Sequence, residues 1–526
     1  MSRPASRLSA IAFTAMMFLT LCACESQAPD QGRASFVEVF AGGEQLRGEA
    51  LVGGVHAFRG IPFAAAPVGA LRWQPPQPHV SRSGVQDATR FGSACPQGQG
   101  NPRWYRQVAA GFGATDAVIP ELTDISEDCL FLNVWTKDPS RQASRPVMLW
   151  IHGGSNVNGF SHEPNYLGHQ LANQDIVVVS INYRLGALGF MAHPALSEED
   201  EGGVSGYYGL ADQVAALRWV QQNIAAFGGD PDNVTVFGES AGGGNISALM
   251  RMPAAVGLFD RAIIQSGALF PYDAISLEAA SAAGEQLTAS LDANTVHDMR
   301  KLDWQSLVEQ SDRMSNDYYF GPIADGRHVL KSDRGAAVPL LIGTNADEML
   351  MYLPDDSLAA MNEQLSQTAN DRRRDVEAHL DRYASTAMKA NRLSTAAEFF
   401  CPALSLAEEV GRADKPTFYY LFTRTRPGGA KLRAYHGAEI PYVFDTADDW
   451  LPADDSDRLL TNTMQAYWTN FARSGDPNSE ALPTWPRFDN NRTILELGDK
   501  IGPLGDGSDQ LCKLLRTATP AAADGQ

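Results

Sequence analysis

The sequence predicts an α/β fold built on a large, mostly parallel β-sheet flanked by helices. Three apolar segments carry this prediction: Val147 to Ile151, Val234 to Phe237, and the PLLIG segment that begins at Pro339. Each has the composition of a buried strand and ends in a polar or glycine-containing turn. A helix-compatible segment follows the second of them. Such strands are typical of a parallel sheet that helices cover on both faces.

The second strand leads directly into Gly238-Glu239-Ser240-Ala241-Gly242, a GxSxG sequence between a strand and a helix. This is the context of a nucleophile elbow, a sharp turn that exposes a serine at the end of a strand. The flanking glycines fit because a Cβ at either position would collide with the neighbouring strand or helix. A bare GxSxG occurs by chance in many long proteins, so the flanking segments carry the prediction that Ser240 is a nucleophile.

A serine nucleophile needs a histidine to accept its proton, an acid to orient the histidine, and donors for the developing oxyanion. The sequence offers donors in His152-Gly153-Gly154-Ser155 after the first strand, acids in Asp347 and Glu348 after the third, and His436 in a later glycine-containing loop. The order serine, acid, histidine is that of the α/β-hydrolase fold. We therefore expect this fold, with its triad at the strand ends.

Eight ordered blocks between about Phe58 and Cys512 resemble the type-B carboxylesterases, the cholinesterase-like family of the α/β-hydrolase fold. They are FRGIPFAAAPVGALRW, SEDCLFLNV, NYRLGALGF, GLADQVAALRWVQQNIAAFGGDPDNVTVFGESAGG, GLFDRAIIQSG, NADE, HGAEIPYVF and NFARSGDPN. The resemblance implies Ser240 as nucleophile, Glu348 as acid and His436 as base. Asp347 is the rival acid, but in the family's Asp-Glu pair the second carboxylate meets the histidine. The family also has helical cap insertions around an active-site gorge, and residues 353–400 are helix-rich by composition.

The resemblance further implies an oxyanion hole made by the backbone of Gly154, Ser155 and Ala241. Ser155 departs from the family pattern, which has glycine there, so we expect bulky acyl groups and esters of tertiary alcohols to fit less well. Glu239 and Ser266 match positions that the family keeps near the triad. They either orient the histidine or only satisfy buried backbone groups.

Two further features of the first part of the chain follow from the resemblance. Arg72 and Glu127 match a charged pair of the family, and we expect a salt bridge between them, the alternative being two unrelated surface charges. The family's choline-binding tryptophan is replaced by Ile119, so choline esters are not the expected substrate. Trp104 and Tyr105 lie in the same loop, where they serve either as packing at the gorge mouth or as a ligand platform.

The N-terminus predicts export. Arg3 and Arg7 precede an apolar stretch from Leu8 to Leu21, and Leu21-Cys22-Ala23-Cys24 has the pattern of a bacterial lipoprotein signal. We expect residues 1–23 to be removed as a signal peptide and Cys24 to be lipidated, with the enzyme in the periplasm or at the cell surface, anchored on the outer membrane. Cleavage a few residues later, giving a secreted protein without lipid, is the alternative.

We expect residues 24–36 to form a flexible tether, 37–515 a single hydrolase domain and 516–526 a disordered tail. Removal of the signal leaves four cysteines, an even number that suggests disulfides in an exported chain. The resemblance pairs Cys95 with Cys129 and Cys401 with Cys512. A metal site is not predicted because these cysteines are far apart and lack CxxC spacing.

The composition of the chain argues against some classes of function. The formal charge of −20 argues against a nucleic-acid partner. It could attract cationic substrates, but it is also what a solvated, soluble surface requires. The predicted function is hydrolysis of a small-molecule carboxylic ester through an acyl-enzyme, without a cofactor. Amide or lactone cleavage on the same triad stays open, as does a non-catalytic binding module on the same scaffold.

Overall fold

A computed structural model describes residues 35–268, 275–315, 318–330, 337–354, 357–368, 372–489, 491–506 and 510–516. The predicted signal peptide, Cys24, nearly all of the tether and the tail beyond Arg516 lie outside these residues. The first strand begins at Phe36 and the last helix ends at Arg516. None of the helices described is both long enough and apolar enough to cross a membrane.

Thirteen strands form one sheet within the described part of the chain. They are β1 Phe36–Ala41, β2 Glu44–Ala50, β3 His56–Pro62, β4 Val85–Asp87, β5 Phe131–Thr136, β6 Arg145–Ile151, β7 Val177–Ile181, β8 Gly229–Glu239, β9 Arg261–Gln265, β10 Leu340–Asn345, β11 Thr417–Phe422, β12 Thr493–Leu497 and β13 Ile501–Asp506. Their order in the sheet is β1, β2, β3, β5, β7, β6, β8, β9, β10, β11, β12, β13, and β4 pairs with β2.

The centre of the sheet is parallel from β7 to β12, as the sequence predicted. Both margins are antiparallel: β1, β2, β3 and β5 on one side and β13 on the other. The sheet is therefore mixed, and the parallel block holds the strands that the sequence identified. Parallel strands present their carboxyl ends at the same edge, which is where this architecture binds ligands.

The helices cover both faces of the sheet. They are α1 Gly100–Gly111, α2 His169–Ala172, α3 Gly186–Phe190, α4 Pro194–Ser197, α5 Tyr208–Asn223, α6 Ala241–Leu249, α7 Leu277–Ser290, α8 Val296–Met299, α9 Trp304–Met314, α10 Ser357–Thr368, α11 Arg373–Leu380, α12 Thr386–Thr395, α13 Cys401–Arg412, α14 Ile440–Phe444, α15 Asp455–Ser474 and α16 Gln510–Arg516. Helices α10 to α12 and the π-helical turn Ala396–Phe400 lie between β10 and β11, where a helical cap was predicted.

The alternation along β6 shows how the core is divided. Val147 and Leu149 belong to the hydrophobic cluster on one face of the sheet, and Met148 and Trp150 to the cluster on the other. All four side chains are fully buried. A strand buried on both faces has a continuous apolar sequence, which explains why VMLWI predicted a central strand.

Two disulfides tie loops to this core, with the pairing that the resemblance implied. Cys95 and Cys129 are joined, and so are Cys401 and Cys512. The first bond closes the loop that contains α1. The second attaches α16 to the start of α13 and so fixes the described C-terminal helix to the body of the protein.

Candidate active site

Ser240 occupies a strained turn between β8 and α6. Its backbone has φ 54° and ψ −125°, a conformation that a residue with a side chain rarely adopts. The turn is held in place because the Ser240 N–H donates to the carbonyl of Gln265 in β9, at 2.9 Å. A Cβ at Gly238 or Gly242 would lie 2.6 or 2.0 Å from the carbonyl oxygen of Ile151, so both glycines are required by the packing of the elbow on β6.

His436 reaches the elbow from the loop before α14. Its Nδ1 donates to Oε2 of Glu348 at 2.7 Å. The second oxygen of Glu348 accepts the backbone N–H of Asn345 at 2.6 Å, which fixes the carboxylate at the end of β10. The imidazole is thereby oriented through Nδ1, and Nε2 is the ring nitrogen that does not bond to Glu348. His436 and Ser240 line the same cavity.

Asp347, the rival acid, has other partners. Its carboxylate accepts hydrogen bonds from Asn391 at 2.9 Å and from Nε of Arg433 at 3.0 Å. The structure therefore places the two adjacent carboxylates against different residues, and Glu348 is the one that contacts His436.

Three buried carboxylates surround His436. Besides Glu348, Oε1 of Glu239 lies 3.3 Å from Nε2 of His436. Burial by itself lowers the pKa of His436, but the negative charges of Glu239 and Glu348 outweigh it and raise the pKa to about 9. Burial likewise raises the pKa of Glu239 to about 8. The charge of Glu239 therefore holds a proton on the imidazole to higher pH.

The third carboxylate, Glu439, was not singled out from the sequence. It is fully buried and accepts hydrogen bonds from Gln265 at 3.0 Å and Asn345 at 2.6 Å, which connects the strands β9 and β10 with the histidine loop. Burial and the charge of Glu348 raise its pKa. The available signal was a glutamate three residues after His436 in an otherwise apolar segment, AEIPYVF.

The two segments that carry the three proposed oxyanion donors meet at the elbow. A Cβ at Gly153 would lie 3.0 Å from the Cβ of Ser240, so this glycine brings the loop directly against the nucleophile. Gly154 and Ser155 follow it, both in left-handed backbone conformations, and both line the cavity. Ala241 begins α6. Among the described residues, no hydrogen bond uses the N–H of Gly154, Ser155 or Ala241.

Ser266 is buried beneath the elbow. Its N–H donates to the carbonyl of Gly343 at 2.9 Å, and its hydroxyl has no hydrogen-bond partner in the described part of the chain. A Cβ at the next residue, Gly267, would lie 1.9 Å from the carbonyl oxygen of Ser240. The structure thus brings the Ser266 segment against the backbone of the nucleophile rather than against the cavity.

A cavity of about 440 Å³ opens over these groups. Its walls combine aromatic and acidic side chains, namely Trp104, Tyr105, Tyr166, Tyr352, Phe399, Glu163, Glu239 and Glu398. Phe399 and Glu398 come from the π-helical turn of the cap, and Trp104 and Tyr105 from α1. Ile119 does not line this cavity. No group of three or more histidine, cysteine or acidic residues suited to a metal ion occurs among the described residues.

Hydrogen bonds join the α1 wall to two other walls of the cavity. Nε1 of Trp104 donates to the hydroxyl of Tyr352 at 2.9 Å, and the hydroxyl of Tyr105 donates to Glu163 at 3.0 Å. Glu163 is buried, which raises its pKa to about 7. Neither Tyr352 nor Glu163 was identified from the sequence, because their positions in the cavity depend on how the loops pack.

Residues 38–510 match the model of the carboxylesterase family. The chain is 36% identical over 525 residues to the fumonisin B1 esterase of Sphingopyxis macrogoltabida, a match that covers 95% of this chain and 92% of that protein. It is 35% identical to the para-nitrobenzyl esterase of Bacillus subtilis, with 85% of this chain and 92% of that one covered.

Solved structures give the same result. A carboxylesterase of Geobacillus stearothermophilus superposes with a TM-score of 0.79 at 31% identity, covering 91% of this chain and 99% of that one. A PNB esterase superposes with a TM-score of 0.77 at 32% identity, covering 91% and 100%. The fold shared with these enzymes is the α/β-hydrolase fold.

Proposed function

We propose that this chain, which belongs to the carboxylesterase family and is a serine carboxylic-ester hydrolase, uses Ser240 as nucleophile, His436 as general base and Glu348 as the acid that orients the histidine. The observation that carries the proposal is the 2.7 Å hydrogen bond from His436 to Glu348, beside a cavity that also exposes Ser240 at its elbow.

In the first half of the reaction, Oγ of Ser240 attacks the ester carbonyl while Nε2 of His436 accepts the hydroxyl proton. The carbonyl oxygen becomes an oxyanion, and the N–H groups of Gly154, Ser155 and Ala241 donate to it. Each such donor contributes about 3 kcal/mol to the transition state. The positive charge that forms on the imidazole is stabilised by Glu348 on its other nitrogen.

In the second half, the protonated His436 gives its proton to the leaving alcohol, and the acyl group stays on Ser240. Water then enters, His436 removes a proton from it, and the resulting attack on the acyl carbonyl releases the acid and restores the serine hydroxyl. The cycle needs only the side chains and N–H groups described above and one water molecule.

The substrate that we propose is a small carboxylic ester that fits a cavity of about 440 Å³. The aromatic walls favour an ester with an apolar or aromatic portion. The relatives support this class, since their names assign them to fumonisin B1 and to para-nitrobenzyl esters.

The proposed triad is tested by covalent trapping. The purified enzyme is treated with an alkyl fluorophosphonate, and the modified peptide is identified by mass spectrometry. We expect a single adduct on Ser240. In Ser240→Ala the adduct should be absent, and the rate of p-nitrophenyl acetate hydrolysis should fall by about 10⁴-fold or more. Ser155→Ala is the matched control, because that serine lines the same cavity. An adduct that persists in Ser240→Ala would reject the assignment.

We also propose that the mature protein begins at a lipidated Cys24 and is held on the membrane by the attached acyl chains. The support is the sequence Leu21-Cys22-Ala23-Cys24 after the apolar segment. Each buried methylene contributes about 0.8 kcal/mol, so several chains on one cysteine would resist washing by salt. Glu25 follows the cysteine in place of the aspartate associated with inner-membrane retention, which favours the outer membrane.

Cell fractionation tests the anchor. We expect activity in the membrane fraction for the wild type and for Cys22→Ser, and loss of the membrane-bound form for Cys24→Ser. Mass spectrometry of the N-terminal peptide should find a diacylated Cys24. An unmodified N-terminus downstream of Cys24, with activity in the soluble fraction, would identify a secreted enzyme instead.

A further inference from the structure

The loop that carries two of the proposed oxyanion donors makes a tight turn at residues 154–157, called the oxyanion turn below. The N–H groups of Val157 and Asn158 donate to the carbonyl of Gly154, at 3.1 and 2.9 Å, and close the turn. Its two central residues, Ser155 and Asn156, have φ 53° and 55°. Two successive positive φ angles suit asparagine but are unfavourable for serine. The conformation that presents the Ser155 N–H therefore needs support from neighbouring segments.

The side chain of Asn156 links the oxyanion turn to the helix of the nucleophile. Its Oδ1 accepts a hydrogen bond from Nδ2 of Asn245 at 2.9 Å. Asn245 lies in the second turn of α6, the helix that begins at Ala241 directly after Ser240. Both asparagines are buried, with 1% and 0% of their surface exposed. The bond is therefore shielded from water, and it joins the two segments that carry the oxyanion donors.

Asn156 is also held from two other sides. Its Nδ2 donates to the hydroxyl of Tyr319 at 2.7 Å, and its carbonyl accepts the N–H of Gly186, at the start of α3, at 2.6 Å. Neither of these partners belongs to a segment that carries a proposed donor or a member of the triad. The hydrogen bond to Asn245 is thus the one of the three that relates the oxyanion turn to the nucleophile.

The relative position of the two segments decides how well the donors act together. Gly154 and Ser155 belong to the oxyanion turn and Ala241 to α6, and all three must lie about 2.7–3.1 Å from the same oxyanion. A displacement of about 1 Å in an active site can lower a rate by about 10²-fold. A direct bond between the segments therefore has a consequence for the rate and not only for stability.

We propose that Asn156 and Asn245 are positioning residues for the oxyanion hole, because their hydrogen bond fixes the donors of the oxyanion turn relative to the N–H of Ala241. This inference rests on the proposed function, since it requires an oxyanion at these donors. Neither asparagine lines the cavity over Ser240. Their removal should therefore weaken binding of the transition state and leave binding of the ester nearly unchanged.

Steady-state hydrolysis of p-nitrophenyl acetate tests the bond from both ends. Asn156→Gly removes the side chain and keeps a residue that accepts positive φ without strain, so its effect reports on the side chain. We expect kcat to fall by about 10- to 100-fold in Asn156→Gly and in Asn245→Ala, with KM within about threefold. The double variant should lose little more than either single variant, because both remove the same bond.

Tyr319→Phe is the matched control. It removes another hydrogen bond of the Asn156 side chain, on the side away from α6, and leaves the bond to Asn245 in place. We expect kcat to stay within about threefold of the wild type. Melting temperatures show which variants are folded. If one of the two asparagine variants does not fold, the other still decides, because each breaks the bond by itself.

Inhibition by a trifluoromethyl ketone separates positioning from a general loss of structure. Oγ of Ser240 adds to the ketone carbon, the serine proton passes to His436, and the carbonyl oxygen becomes an oxyanion in the hole. The adduct resembles the transition state, so its Ki should rise in each asparagine variant by about the factor by which kcat/KM falls. Tyr319→Phe should leave Ki within about threefold of the wild type.

Three results would overturn the proposal: unchanged kcat and Ki in a folded asparagine variant, losses that add in the double variant, or an equal loss in Tyr319→Phe. Fluorophosphonate labelling of Ser240 in the wild type, measured in parallel, separates this failure from that of the proposed function. If Ser240 is labelled and the asparagine variants lose nothing, the positioning role alone is wrong. If Ser240 is not labelled, the triad is wrong and the positioning role falls with it.

Discussion

Asp347 and Arg433 form an ion pair, with 3.0 Å between Oδ2 and Nε, that joins the loop carrying Glu348 to the loop carrying His436. Each member is close in sequence to a member of the proposed triad. The backbone reinforces the pair, because the N–H of Asp347 donates to the carbonyl of Ala434 at 3.1 Å. The two neighbouring carboxylates thus have separate tasks: Asp347 connects the loops, and Glu348 contacts the imidazole.

Substitution of these two carboxylates should have very different effects. Glu348→Gln removes the charge that stabilises protonated His436 and disturbs its tautomer, so we expect kcat to fall by about 10³- to 10⁴-fold. Asp347→Asn keeps a hydrogen-bonding group of the same shape, and kcat should fall by less than about tenfold. Steady-state hydrolysis of p-nitrophenyl acetate measures both. If Asp347→Asn were the more damaging change, Glu348 would not be the acid of the triad.

The pH dependence of the enzyme should report on Glu239. The base form of His436 is required, so kcat/KM rises with pH as the imidazole loses its proton. The charge of Glu239, whose Oε1 is 3.3 Å from Nε2, raises the pKa of His436, and Glu239→Gln removes this charge. We therefore expect the rising limb of the pH profile to move to lower pH, by about one unit or more.

Glu398→Gln is the matched control for this measurement. Glu398 also lines the cavity and its charge interacts with His436, but Glu239, Glu348 and Glu439 are the carboxylates that raise the pKa of His436 most. Its removal should therefore shift the limb less. An unchanged limb in Glu239→Gln, or an equal shift in both variants, would contradict the prediction.

The sequence predicted those parts of the site whose residues are neighbours in the chain. The elbow at Ser240 could be identified because strand, glycines and helix are contiguous in sequence, and the choice of Glu348 over Asp347 came from family resemblance. Glu439 and Arg433 could not be identified in this way. Their roles come from burial and from partners many residues away, which a single sequence does not display. The antiparallel margins of the sheet were missed for a related reason, since short edge strands lack the continuous apolar sequence of the central ones.

Ser155 should limit the size of the substrate. It has φ 53°, a conformation that glycine adopts without strain, and it lines the cavity. Ser155→Gly removes the Cβ, so we expect kcat/KM for an ester of a tertiary alcohol, relative to the ester of a primary one, to rise by about tenfold. Ser155→Ala keeps the Cβ and should show no such rise. An equal gain in both variants would mean that the hydroxyl, and not the Cβ, sets the limit.

The two disulfides should differ in their effect on catalysis. Replacing both Cys401 and Cys512 by serine opens a loop of 111 residues, and the free energy of unfolding in urea should fall by about 2–4 kcal/mol. Neither cysteine lines the cavity, so KM should stay within about twofold.

Replacing Cys95 and Cys129 should also raise KM, because their loop carries Trp104 in the cavity wall. An unchanged KM in this second variant would contradict the role given to the loop.

The predicted salt bridge between Arg72 and Glu127 is confirmed, and it is more buried than a surface pair. Nε of Arg72 donates to Oε2 of Glu127 at 2.8 Å, and only 6% and 14% of the two side chains are exposed. The guanidinium also donates to the carbonyl of Leu302 at 2.6 Å, so the pair links the first disulfide loop to the segment after α8.

Glu127→Gln should therefore destabilise the protein far more than the loss of a surface ion pair. The substitution leaves the buried guanidinium of Arg72 without its counterion, and we expect the free energy of unfolding to fall by about 3 kcal/mol. Glu121→Gln is the control, since its pair with Arg106 is about half exposed, at 54% and 45%, and should contribute under about 1 kcal/mol. Urea unfolding at neutral pH compares the two variants. Equal, small losses would show that water screens the Arg72 pair as effectively as it screens the exposed one.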